Sequence, residues 1–233
     1  MDIDPVEGLL FYVVFLFSIT LHEAAHAWAA LKLGDKTAYH GGQVTLDPRP
    51  HIKREPFGML VQPLLSVATI GWPFGFASAP YDPRWAMRYP KRAAWMALAG
   101  PASNMLLCVI SGVAIFLLLR AGVFTGPDRV GFSHLVDTTA TGVWVGVAFF
   151  LSAMFSLNLL LAVFNLLPFP PLDGSGAVPL ILNDEQTAKY QQLMWGRPGL
   201  AWMGILIAWY SFDFVFSPVW TLAINILLPG SYG

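Results

Sequence analysis

The sequence predicts an all-α membrane protein built as a polytopic helical bundle. Hydrophobic residues make up 56% of the 233 positions and charged residues only 12%, against about a quarter in soluble domains. Five apolar stretches approach or exceed the roughly 20 residues that cross a bilayer. They cover about residues 8–31, 57–78, 93–119, 140–168 and 199–228. We expect a single integral membrane domain, 1–233, in which 57–80 is re-entrant and the other four stretches span the membrane.

Composition also excludes several classes of function. With 13 Lys and Arg against 14 Asp and Glu, the formal net charge is −1, so there is no electrostatic basis for binding nucleic acid. The single cysteine, Cys108, lies in an apolar run, which excludes an intrachain disulfide and a cysteine-based zinc cluster. The first residues are acidic and lack the basic start of a signal peptide, so we expect the first apolar helix to be retained.

The first stretch, 8–31, carries three ionisable side chains inside a predicted spanning helix: His22, Glu23 and His26. Ionisable groups within the hydrocarbon are costly and indicate a function. Residues four apart on a helix share one face, so the two imidazoles can bind one metal ion. Glu23 stands beside the first imidazole and can act as a general base towards a water molecule. If the residues were placed at random, the expected number of HExxH matches in such a chain would be on the order of 10⁻³.

The second stretch, 57–78, is interrupted by prolines and glycines, and its latter part, 71–80, favours an extended conformation. Both flanking loops are basic, so a full crossing would place them on opposite sides, against the positive-inside tendency. A re-entrant segment instead places 11 basic residues in the cytoplasm and 2 outside. We therefore expect a helix and an edge strand that dip into the membrane and return, buried by protein rather than lipid.

This topology places the amino terminus outside and the end of the first helix at the cytoplasmic face. His22 lies ten residues before Lys32, which at 1.5 Å per residue is about 15 Å below that face. A bacterial plasma membrane is the expected location, with the site nearer the cytoplasm. The last stretch, 199–228, contains Asp213 and Ser217-Pro218, which predict either one bent helix or a helix followed by an interfacial piece.

A catalytic zinc ion needs three protein ligands and one open position, so a third donor is expected at membrane depth. The histidines in polar connections are more typical of solvated or capping side chains, and Asp213 near a kink could bond backbone groups. Asp173 follows a proline-rich end of the fourth stretch, where Gly174 permits a turn and the carboxylate can face the protein interior. It is the best placed of the candidates, which are Asp173, Asp213, His40, His51 and His134.

The motifs together resemble the site-2 protease family, the intramembrane zinc metalloproteases. The family's HExxH corresponds to 22–26, and its GPxxN helix to Gly100 through Asn104. Residues 34–51 are similar to the short bacterial members. The family's NxxPxPxxDG element corresponds to Asn165, Pro168, Pro170, Asp173 and Gly174.

The resemblance implies a three-helix catalytic core in which His22, His26 and Asp173 hold one zinc ion per chain and Glu23 is the general base. The implied substrate is a transmembrane protein, cleaved within or beside its membrane segment. Asn104 and Asn165 would stabilise the oxyanion or contact the substrate, or else join packed helices by hydrogen bonds. We expect a short form of the family, without PDZ-like or CBS-like modules.

The same pattern leaves other hypotheses. The region 71–80 lacks the basic residue usual in this family's strand, although a strand there could hold an unwound substrate. A metal-ion or proton transporter could use the same histidines and aspartate, but its polar groups should follow a path through several helices. An inactive scaffold would have no need of Glu23.

Overall fold

The computed structural model describes residues 4–197 and 199–229, and these are mostly helical. The helices in chain order are α1 (Pro5–Leu33), α2 (Thr37–His40), α3 (Pro48–Arg54), a π-helical turn (Phe57–Val61) that continues into α4 (Gln62–Ile70), α5 (Pro83–Arg88), α6 (Pro90–Arg120), α7 (Val143–Asn165), α8 (Asp173–Ala177), a 3₁₀ turn (Val178–Leu180), α9 (Asp184–Gly196) and α10 (Gly199–Leu227). The predicted all-α polytopic membrane fold is confirmed.

Four helices within the described residues are long and apolar enough to cross a membrane: α1, α6, α7 and α10. The side chain of Asp4 caps the start of α1 by accepting a hydrogen bond from Val6 N, and Gly34 ends the helix in the left-handed conformation, with φ 111°. Helix α10 continues through Asp213 and Pro218 as one helix, so the predicted alternative of a separate interfacial piece is wrong.

Helices α1, α6 and α7 pack on one another and form the core that positions the site. Phe15 of α1 and Leu157 of α7 are almost completely buried in one apolar cluster. A second cluster joins α6, α7 and α10 through Ile115, Phe155 and Ile224. Only 11% of the apolar window of α10 is buried, against 67% for α7, so α10 lies at the edge of the bundle.

The re-entrant candidate forms a short helix followed by an extended segment. The helical part, Phe57–Ile70, is too short to span a bilayer. The expected edge strand is wrong: among the described residues the segment 71–80 joins the π-helical turn by one backbone bond, from Phe76 N to Gly58 O at 3.1 Å. Pro73 and Pro80 lack N–H groups, and the described part of the chain has no neighbouring strand, so a ladder does not form. Whether the segment enters the membrane stays a prediction.

Candidate metal centre

Three side chains from two parts of the fold meet at one point. One helical turn of α1 places His22 and His26 on the same face, and their Nε2 atoms are 3.0 Å apart. Asp173, at the first turn of α8, places Oδ2 3.0 Å from Nε2 of His22 and 3.3 Å from Nε2 of His26. Both histidines are buried and Asp173 is nearly so.

This donor set fits a zinc ion. Zinc bonds of about 2.0–2.1 Å in a tetrahedron separate neighbouring donor atoms by roughly 3.3 Å, close to the spacing here. Two imidazole nitrogens and one carboxylate oxygen are a ligand set that zinc takes in catalytic sites. Three side-chain donors leave a fourth position open, as in catalytic rather than structural zinc sites.

Gly174 brings Asp173 to the site by close packing. A Cβ at this position would lie 2.2 Å from the carbonyl oxygen of Leu166 and 2.4 Å from that of Leu167. Only glycine therefore lets the start of α8 rest against the end of α7. The sequence predicted a turn at Gly174, whereas its φ is not in the left-handed region and the absence of a side chain is what matters.

Gly100 of α6 has the same role on the other side of the histidines. A Cβ there would lie 2.3 Å from Nε2 of His26 and 2.5 Å from Nε2 of His22. The α6 backbone thus passes directly against the two imidazoles. The sequence identified Gly100 only as the start of the GPxxN motif, and did not indicate that its neighbours are the candidate ligands.

The outer nitrogens of both rings also have partners. Nδ1 of His26 lies 2.8 Å from the backbone carbonyl oxygen of Met96, which can only accept, so Nδ1 carries the proton. Nδ1 of His22 lies 2.5 Å from Oδ1 of Asn104. These contacts leave both Nε2 lone pairs free for a metal ion, as second-shell partners do in metalloproteins.

Glu23 is 4% exposed, and its Oε2 has no hydrogen-bond partner among the described residues. An unpartnered buried carboxylate oxygen costs free energy unless a bound molecule satisfies it. Glu23 is therefore available to a water molecule or substrate group at the site.

The remaining candidates lie apart from the three donors. His51 is 1% exposed and donates from Nε2 to the carbonyl oxygen of Thr45 at 3.1 Å. Of the two expected roles, solvated or capping, the solvated one is therefore wrong for His51. His134 lies 3.4 Å from Glu7, while His40 and Asp213 are exposed.

The two candidate asparagines differ in their surroundings. Asn104 is completely buried and bonded to His22, Asn158 and Ser18, whereas the Nδ2 of Asn165 donates to Leu161 O one turn earlier. The oxyanion or substrate contact predicted for each stays a prediction. Sequence reasoning missed Asn158 and Ser18; the available signal was a polar side chain inside each otherwise apolar helix.

Comparisons with known proteins agree with this geometry. Residues 10–203 match the model of peptidase family M50. The chain is 35% identical over 180 residues to the zinc metalloprotease named YwhC of Bacillus subtilis (strain 168), covering 77% of this chain and 72% of that protein. It is 31% identical over 229 residues to the zinc metalloprotease named Rip2 of Mycolicibacterium smegmatis, and the match covers 91% of this chain and 78% of that protein. No solved structure matches the chain.

Proposed function

This chain belongs to peptidase family M50, the site-2 proteases, and is an intramembrane zinc metalloprotease; from that premise we propose that His22, His26 and Asp173 hold its zinc ion and that Glu23 is its general base. The single observation that carries this proposal is the convergence of the three donor atoms within 3.3 Å of one another. The transporter alternative is not favoured, because these groups converge on one point instead of following a path.

The zinc ion, when bound, supplies a Lewis acid for the peptide carbonyl and lowers the pKa of water towards about 7. His22 and His26 offer neutral nitrogens, and Asp173 adds one negative charge that offsets part of the charge of the ion. The buried position of both histidines excludes bulk water, which strengthens these electrostatic interactions.

Glu23 handles the protons of the reaction. Its carboxylate takes a proton from the attacking water and then gives it to the amine nitrogen that leaves. The unpartnered Oε2 supports this role, since that oxygen is free to accept a hydrogen bond. The two proposed histidine ligands are four residues apart on α1, and Glu23, next to His22 in the sequence, lies close to them.

The substrate we propose is the transmembrane segment of another protein, unwound locally at the scissile bond. A helix seals its carbonyls in hydrogen bonds, so cleavage requires an extended conformation. Backbone groups of 71–80 have few partners in the described part of the chain. Gly71 N donates to Val67 O, Phe74 N to the Ser66 hydroxyl and Phe76 N to Gly58 O, and Ser78 O accepts from Arg54. The remaining edge could bind an unwound peptide by strand addition.

The membrane placement is proposed on charge. The basic residues favour cytoplasmic loops around 57–80 and an external amino terminus. His22 then lies about 15 Å from the cytoplasmic face along α1, and the expected membrane is the bacterial plasma membrane.

The test compares purified wild type with Glu23→Gln and His22→Ala. We expect zinc in the wild type and in Glu23→Gln, cleavage of a transmembrane substrate only in the wild type, and loss of zinc from His22→Ala. Ser111→Ala is a matched control, because this buried hydroxyl bonds only carbonyls of its own helix. Cleavage that persists in Glu23→Gln would refute the assigned base.

A further inference from the structure

A chain of polar side chains leads from His22 into the protein core. It comprises Asn104 of α6, Asn158 of α7 and Ser18 of α1, each of which is completely buried. Nδ2 of Asn104 donates to Oδ1 of Asn158 at 2.8 Å, and Nδ2 of Asn158 donates to the Ser18 hydroxyl at 2.9 Å. The three core helices are therefore joined by side-chain hydrogen bonds behind the candidate ligand.

One end of this chain has a fixed direction. Nδ2 of Asn158 also lies 2.8 Å from the backbone carbonyl oxygen of Met154. A carbonyl oxygen only accepts, so Asn158 has to present its NH₂ group there and its Oδ1 towards Asn104. Asn104 then has to present its own NH₂ group to Asn158, which leaves its Oδ1 facing Nδ1 of His22.

The direction matters because an amide can be turned by 180°. His26 needs no such control, since its Nδ1 faces the Met96 carbonyl directly. His22 faces a side-chain amide instead. If the amide of Asn104 were rotated by 180°, it would present its NH₂ group to Nδ1 of His22. The ring would then carry its proton on Nε2, the atom that points at His26 and Asp173. A protonated Nε2 cannot bind a metal ion.

We propose that Asn158 is a positioning residue which, through Asn104, holds the amide oxygen towards His22 and so keeps the Nε2 lone pair of His22 free for zinc. This inference rests on the proposed ligand role of His22. The carbonyl of Ser18 adds a weaker contact to Asn104 at 3.5 Å, the limit of a hydrogen bond. Asn158 is thus the stronger constraint on the amide.

The test measures zinc affinity of the purified full-length protein by competition with a chelator. Removing a second-shell partner typically weakens metal affinity about 10–100-fold, and we expect that loss in both Asn158→Ala and Asn104→Ala. The double variant should bind zinc no more weakly than Asn104→Ala alone, because Asn158 acts only through Asn104. Wild-type affinity in Asn158→Ala, or additive losses in the double variant, would overturn the proposal.

A conservative variant keeps the test decisive if Asn158→Ala folds poorly. In Asn158→Asp, a protonated carboxyl can donate to the Met154 carbonyl and accept from Asn104, so most of the zinc affinity should return. A loss as large as that of Asn158→Ala would contradict the proposed directionality. Ser152→Ala is the matched control on α7: its buried hydroxyl accepts from Leu135 N, outside the chain, and zinc affinity should stay at the wild-type value.

A spectroscopic measurement separates orientation from simple loss of structure. Nitrogen NMR of labelled histidines in the zinc-free protein should show only the Nδ1-protonated tautomer of His22 in the wild type. In Asn158→Ala it should show a mixture of the Nδ1-protonated and Nε2-protonated tautomers. If His22→Ala keeps full zinc affinity, the ligand assignment itself fails. If His22→Ala loses zinc while Asn158→Ala changes neither affinity nor the proton position, only the positioning role fails.

Discussion

Replacing Gly100 with alanine should disable the metal centre through a single methyl group. The added Cβ would lie 2.3 Å from Nε2 of His26 and 2.5 Å from Nε2 of His22. Ordinary contact begins at 3.4 Å, so the rings or α6 have to move by about 1 Å, whereas ligand distances at a metal site tolerate only about 0.2 Å. A misplacement of roughly 1 Å can lower the rate about 100-fold.

The assay is zinc content after dialysis, together with cleavage of a transmembrane substrate at saturating zinc. We expect Gly100→Ala to lose most of its zinc and to lower kcat about 100-fold. Gly112→Ala is the control on the same helix, because its Cβ would meet the Phe155 ring at 3.0 Å, far from the donors. It should leave zinc content unchanged, because any strain falls on the Phe155 ring and not on the donor atoms. Wild-type zinc content and cleavage in Gly100→Ala would refute the packing argument.

Two further predictions concern the other parts of the site. Asp173→Asn removes the anionic donor with little change in shape, so zinc affinity should fall about 10-fold or more in a chelator titration; unchanged affinity would remove Asp173 from the ligand set. Ala77→Pro deletes an N–H group in the segment 71–80 that donates to no partner within the described residues, and should slow cleavage of a transmembrane substrate without loss of zinc. Ala77→Val keeps the N–H group and should cleave at nearly the wild-type rate, and equal rates for the two variants would exclude strand addition at this position.

The sequence alone was sufficient for features that depend on local spacing or composition. Helical periodicity places His22 and His26 on one face, and hydropathy identifies the spanning helices. The expected family and its zinc chemistry are confirmed by the match over residues 10–203. Asp173, by contrast, could only be ranked first among five candidates from its proline-rich surroundings, and the motif resemblance was needed to assign it, because nothing in its neighbourhood says which distant helix it meets.

Features that depend on tertiary contact could not be read from the sequence. Gly100 matters because α1 brings His26 against it, from 74 positions away in the sequence. Asn158 matters because α6 brings Asn104 against it, from 54 positions away. The predicted strand at 71–80 failed for a similar reason, since a strand needs a partner that local composition does not reveal. His51 lies in a turn-rich, polar stretch and is nevertheless buried against the core.

The contact of α6 with both imidazoles also limits how a substrate helix can reach the site from the lipid. A helix passing between two others would separate their axes by about 8–10 Å more. Between α1 and α6, such a movement would break the bond from His22 to Asn104 and withdraw the Gly100 backbone from the histidines. Lateral passage between α1 and α6 would therefore disrupt the proposed metal centre before the peptide arrived, and we expect a transmembrane substrate to enter along a different side of the bundle.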